Sequence, residues 1–388
     1  MHSKVFDGLK NPTINSTYCL INAYVKCGKP HYALALYRNK LKHIVCQEEA
    51  KYVQKEANYD QNESKYCPIY PNPRTFVALF KACGKVKDLE IGVELYAEAA
   101  RMGWIETDCF IGCSLVDMFA KCGKVVNAQE VFDKLLVRDV VLWTTLIGGY
   151  VEHQYGEEAL HCFKQMQHEK VSPNAFTLVW CLKACGNIRD IDKGYRIHVE
   201  IEMKGLLGSD PFIGSSLIDM YAKCGSLAIP KLVFKKLHRR DVVSWTALMS
   251  AYVEHGFGEE ALKCFDHMQA DGISPNVVTY TCSLKACGDI GATYKGGTLG
   301  DLNKGQEIHF ELKRQGLDND IAIGSALVGM YIKCGQLKKA REIFDRFPIR
   351  NTITWNALIS GYVTHEHSEE ALKCFEKMRE EGIAPNPS

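Results

Sequence analysis

The tetrapeptide Lys-Ala-Cys-Gly occurs three times, around Cys83, Cys185 and Cys287, and both gaps are 102 residues. A chain that copies itself at a fixed long period does not build one conventional core, so it is read through its repeating piece. Trp143 and Trp245 keep the 102 spacing, whereas Trp355 follows at 110 because eight extra residues, Gly291 to Thr298, enter the last copy.

Each period divides into pieces of 35, 36 and 31 residues: 140–174, 175–210 and 211–241, then 242–276, 277–320 with the insertion, and 321–351. A further 35-residue piece covers 352–386. Residues 109–139 and 73–108 precede the series, and 14–72 opens it with a second half swollen by a polar segment at 43–70. This predicts a short segment 1–13, an array of ten repeats over 14–386, and the start of another repeat at 387–388.

Within a piece, apolar residues return at three- and four-residue steps: Trp143, Leu146, Ile147 and Tyr150, then Ala159, Leu160, Phe163 and Met166. Two such stripes are two amphipathic helices. Glu157 and Glu158 suit the first turn of the second helix, and Gly123, Gly225 and Gly335 suit left-handed caps closing the first helix of the short pieces. A helical hairpin of this size cannot bury both stripes, so neighbours must stack into an all-α superhelix whose concave face is lined by first helices. Periodicity leaves its hand open. Pro230, in Ser-Leu-Ala-Ile-Pro, predicts a late start or a shortened second helix there, because proline has no N–H to donate.

Composition fits an array with a continuous core: 46% of the residues are hydrophobic, and no apolar run approaches the length of a membrane span. The 17 cysteines recur at equivalent helical positions without a mutual partner, which predicts reduced thiols. The Cys122, Cys224 and Cys334 copies read as small buried residues. The N-terminal residues show neither a secretory core nor an Arg-rich transit character.

Catalytic patterns fail on inspection. Zinc deamination needs His-x-Glu together with Cys-x-x-Cys around one water. His198, His309 and His367 each begin a His-x-Glu, but no Cys-x-x-Cys occurs. Gly291 to Thr298 imitates a phosphate loop but has Gly297 where the lysine belongs, and it reads as a flexible insertion. The polar 43–70 segment reads as a solvated extension or loop. No catalytic residue, metal site or cofactor is expected.

Three stretches carry a resemblance. Residues 241–276, the KACG and KGQEIH segments, and residues 323–351 resemble the P, L and S motifs of pentatricopeptide repeat proteins of the plant PLS subclass. The likeness covers nearly the whole chain and implies a right-handed superhelical solenoid of stacked helix-turn-helix repeats. It also implies sequence-specific binding of single-stranded RNA in mitochondria or chloroplasts, with selection of cytidines for editing to uridine and an editing-factor or deaminase partner.

The family's rule assigns one repeat to one base through the fifth and last residues of each repeat. Applied to this sequence, it implies base selection by Thr144 with Asn174, Ser215 with Asp241, Thr246 with Asn276, Ser325 with Asn351 and Asn356 with Asn386. Val141, Phe212, Val243 and Ile353, each second in its repeat, would pack on base faces. Val77 and Val179 offer no polar group to read a base, and Tyr18 and Cys113 depart from the usual choices. The implied RNA core is A, any base, G, A, a weak G, A, then a pyrimidine.

Beside this stand plainer readings. Trp143, Trp245 and Trp355 belong to the apolar stripe and read as core, not as base platforms. Forty-seven basic against 46 acidic residues give a net charge of +1, too little for bulk attraction to nucleic acid. A helical scaffold for protein partners is the second reading, and a truncated, inactive family member the third. Against the scaffold stands the alternation of lengths, which a uniform tetratricopeptide array would not show.

Overall fold

The computed structural model describes residues 14–41, 72–208, 210–293, 299–346, 350 and 352–384. Among them the regular structure is helical throughout, with no strand. The predicted 43–70 segment and residues 294–298 of the glycine-rich insertion lie outside the described residues. The chain forms two compact bodies, Met1–Ala184 and Cys185–Ser388.

Helices come in pairs. Val140–Glu152 is followed by Gly156–His168, Val242–Glu254 by Gly258–Ala270, and Thr352–Thr364 by Ser368–Glu380. Glu157 and Glu158 do stand in the first turn of their helix, at the positive end of its dipole. Gly123, Gly225 and Gly335 adopt φ of 77°, 84° and 72°, the left-handed conformation that ends a helix at little cost to glycine.

In the first body the first helices stack in chain order: Ile14–Lys26 on Pro73–Val86, that on Cys109–Lys121, and that on Val140–Glu152. In the second body Pro211–Lys223, Val242–Glu254, Val277–Thr293, Ile321–Lys333 and Thr352–Thr364 do the same. The tryptophans fill the joints between these layers. Trp143, Trp245 and Trp355 are 1%, 5% and 0% exposed, so they are core residues that no base can reach. Each meets a phenylalanine of the preceding helix edge-on: Phe132 at 4.5 Å, Phe234 at 4.5 Å and Phe344 at 4.6 Å between centroids. Such pairs add about 0.5–1.5 kcal/mol beyond burial. Close approach of backbones is bought with small residues: a Cβ on Gly149 would lie 2.7 Å from the Cβ of Ala120.

Three details refine the sequence reading. The helix carrying Pro230 spans Ala228–Lys236, nine residues, against ten for Val125–Lys134 and Leu337–Arg346, and it starts one residue late. The insertion is not wholly a loop, because Gly291–Thr293 extend the helix Val277–Thr293 to 17 residues where Pro73–Val86 has 14. Gly291 packs there on Cys334, which leaves no room for a Cβ. Cys122, Cys224 and Cys334 are half-buried, not buried. Their thiols donate at 3.9 Å to the carbonyls of Cys83, Cys185 and Cys287, fastening one repeat to the next.

Candidate functional site

Every described last residue caps the helix that follows. Asn72, Asp108, Asp139, Asp210, Asp241 and Asp320 accept backbone N–H groups of the next first turn through their side chains. Asn174 and Asn276 do likewise, accepting from Thr177 N and Thr279 N at 2.9 Å. A short side-chain acceptor is what an open helix start requires. These residues therefore stand at the joints between repeats.

The sequence pairs Thr144 with Asn174 and Thr246 with Asn276, and the structure brings both pairs together through a residue the sequence reading missed. Thr177 Oγ1 donates to Asn174 Oδ1 at 3.0 Å and lies 2.7 Å from Thr144 Oγ1. Thr279 Oγ1 donates to Asn276 Oδ1 at 3.0 Å and lies 3.0 Å from Thr246 Oγ1. Thr144 and Thr246 also reach back to Val140 O and Val242 O, each at 2.6 Å. The signal was present as Asn-x-x-Thr at 72–75, 174–177 and 276–279, again at a spacing of 102.

Other predicted residues are placed less closely. Ser215 donates to Phe212 O at 3.0 Å, while Asp241 closes a capping box with Ser244. Ser325 is half-buried and donates to Ile321 O at 2.8 Å. Asn356 is half-buried. Asn351 and Asn386 lie outside the described residues, so neither pair to which they belong can be assembled. Tyr18 is only 4% exposed, and burial together with Glu98 raises its hydroxyl pKa, so it is a core residue. Burial likewise pushes the Cys113 thiol up to about 12, leaving it neutral.

The second residues are exposed apolar side chains in each case: Val141 55%, Phe212 56%, Val243 42% and Ile353 67%. Phe110, Phe176 and Val278 occupy the same position in their repeats and are equally exposed, though sequence reasoning did not single them out. In the first body a groove of about 450 Å³ contains Val141, Thr144, Asn174, Phe176 and Trp180, so polar pair and apolar flanks share one surface. In the second body a shallow groove of about 660 Å³ contains Asp320, Ser325 and Ile353.

Two of the three His-x-Glu histidines are tied into the packing. His198 and His309, which begin two of the His-x-Glu patterns, share hydrogen bonds with Tyr221 and Tyr331 at 2.9 and 3.0 Å. Burial lowers both imidazole pKa values, holding them neutral. Among the described residues no three metal-ligating side chains converge. No described helix is long and apolar enough to cross a membrane.

Stacked helical hairpins with a capping amide or carboxylate at each described joint define an α-helical repeat protein. Comparison with known proteins narrows this. A PPR repeat family model matches residues 138–187, 240–289 and 350–388, and a PPR repeat model matches 18–41, 113–140 and 325–351. A chloroplastic pentatricopeptide repeat-containing protein of Arabidopsis thaliana is 30% identical over 99% of this chain and 57% of its own. A mitochondrial one from the same plant is 28% identical over 99% of this chain and 56% of its own. The chain belongs to the pentatricopeptide repeat family. It spans about half the length of the curated relatives it matches. Among solved structures, the pentatricopeptide repeat protein PPR10 in complex with an 18-nt psaJ RNA element shares the fold, with a TM-score of 0.58 and 16% identity over 99% of this chain and 57% of that one.

Proposed function

We propose that this chain binds single-stranded RNA, one base per repeat, through the fifth and last residues, with the exposed second residues packing on base faces. The observation that carries the reading is the pair Thr144 and Asn174, bridged by the Thr177 hydroxyl, repeated as Thr246 and Asn276 bridged by Thr279 and set beside exposed apolar side chains. A base has a flat apolar face and a polar edge, and such a surface offers something to each. The RNA-bound relative of the same fold supports the same choice of ligand.

With a net charge of +1, affinity has to come from local cations. Lys81, Lys183 and Lys285 follow the fifth residues Val77, Val179 and Thr281 by one helical turn and are exposed, and Lys183 lies 4.9 Å from the Trp180 ring centre. They suit contacts to phosphate in repeats whose fifth residue reads a base weakly or not at all.

The resemblance to PLS-type proteins and the organellar relatives favour a role in chloroplast or mitochondrial RNA processing, such as choosing cytidines for editing by a partner deaminase. Selection from random RNA tests the reading. The expected core, read from the RNA 5′ end at the N-terminal repeat, is A, any base, G, A, a weak G, A and a pyrimidine. Enrichment without a purine-rich core would overturn the base assignments, and no enrichment at all would favour a protein partner.

A further inference from the structure

Thr177 and Thr279 have no exposed surface, yet each hydroxyl touches both members of a base-reading pair. Thr279 Oγ1 accepts the Asn276 backbone N–H at 3.3 Å, donates to Asn276 Oδ1 at 3.0 Å and meets Thr246 Oγ1 at 3.0 Å. Thr177 repeats the set with Asn174 N at 3.3 Å, Asn174 Oδ1 at 3.0 Å and Thr144 Oγ1 at 2.7 Å. One buried oxygen thus joins two residues that are far apart in sequence.

The chain carries its own contrasts. After Asp241 the third residue is Ser244, whose hydroxyl turns to the backbone, accepting from Asp241 N and donating to Asp241 O, both at 3.0 Å. After Asp139 the third residue is Leu142, which has no hydroxyl. After Asn72, Thr75 makes the same bond to the amide oxygen, but its other partner is Asn22 Nδ2 at 3.2 Å, because the fifth residue there is the buried Tyr18.

We propose that Thr177 and Thr279 are positioning residues that set the base preference of the repeat before them, by fixing which atoms its fifth and last residues present. This rests on the RNA reading above. With Oδ1 held by the threonine N–H and hydroxyl, the asparagine Nδ2 faces outward as a donor. With its one proton directed inward, to Val140 O or Val242 O or to the buried threonine, the Thr144 or Thr246 oxygen keeps a lone pair to serve as an acceptor. Adenine offers the complement, an N6 donor beside an N7 acceptor. Without the buried hydroxyl, the fifth residue keeps its bond to Val140 O or Val242 O but loses its link to the amide, which keeps only its backbone cap and can turn.

The test is binding of the full chain to its selected RNA and to the three variants at the nucleotide opposite repeat 242–276, for wild type, Thr279→Val and Thr279→Ser. Valine keeps the shape and removes the hydroxyl, while serine restores it. The expected result is a loss of about twofold to tenfold in the ratio between best and worst base for valine, the worth of one hydrogen bond, with neighbouring positions unchanged and serine near wild type. Thr75→Val, the control, leaves every preference intact. Equal weakening for all four bases, or an unchanged ratio in Thr279→Val, overturns the proposal. A wild type that binds RNA without preference at any position refutes the RNA reading itself, which is a distinguishable result. If Thr279→Val melts before binding can be measured, Thr177→Val and Thr177→Ser decide between the same outcomes.

Discussion

Asn276 has two separable duties, and one substitution divides them. Its Oδ1 accepts Thr279 N at 2.9 Å and Thr279 Oγ1 at 3.0 Å, which leaves the Nδ2 of this exposed residue free of the cap. Asn276→Asp keeps the accepting oxygen, as Asp139 and Asp241 do at sister joints. The new charge sits at a helix N-terminus, which is worth about 0.3–1 kcal/mol in its favour. Asn276→Ala loses the cap and should cost about 1 kcal/mol, at most about 2. Urea denaturation should therefore rank alanine below wild type, with aspartate equal or slightly above. Binding should rank differently, because aspartate replaces the outward donor by an acceptor. The preferred base at that repeat should lose about 1–3 kcal/mol, borrowing the cost of a mismatch in protein–DNA sites. Combined with Thr246→Asn, the preference should move from adenine toward uridine. Measuring at two salt concentrations separates edge chemistry from repulsion, since a carboxylate near phosphate weakens all sequences alike and is screened. If aspartate melts as early as alanine, the capping account is wrong. If it folds and keeps the adenine preference, the outward amide does not read the base.

Three further outcomes follow from the packing. Gly149→Ala should destabilise by about 1–3 kcal/mol in a denaturant titration, because its Cβ would meet the Ala120 Cβ, which cannot rotate away, at 2.7 Å. His198 and His309 have lowered pKa values in the folded chain, so the unfolded chain binds more protons just below about pH 6.5. Stability should thus be fully present above that pH and fall as pH drops through it, and His198→Gln should shrink this acid limb. Iodoacetamide should label Cys19, Cys27 and Cys109, which are exposed, long before Cys83, whose thiol burial pushes up to about 12, with peptide mapping as the readout.

The fold was legible because its signals are local or periodic. Spaced stripes gave the helices, glycines at fixed offsets gave their ends, and Pro230 gave a shortened helix, each from backbone chemistry that needs no knowledge of neighbours. The burial of Trp143, Trp245 and Trp355 followed from their place in the stripe. What escaped needed the third dimension. Thr177 and Thr279 look like ordinary first-turn residues until their hydroxyls are seen against a fifth residue in the preceding helix. Gly291–Thr293 look like loop by composition, and become helix because Gly291 can lie against Cys334 where a larger residue could not. Tyr18 sits at a reading position by count but inside the core by packing.

The double duty of the last residue constrains what such an array can say. A residue that must cap the next helix has to carry a short acceptor, which restricts it to a few side chains. The eight described joints use only asparagine and aspartate: Asn72, Asn174 and Asn276 on one side, Asp108, Asp139, Asp210, Asp241 and Asp320 on the other. The two are alike on the inward oxygen and differ on the outward group, an amide donor against a carboxylate acceptor. Capping therefore leaves one binary choice open at each joint, and the fifth residue must supply the rest of the discrimination. Serine or threonine at the last position should cap as well but present no second polar group, so Asn276→Ser should fold like wild type and flatten the preference at that repeat, leaving the others untouched. Retention of a sharp adenine preference in that variant would place the reading group elsewhere.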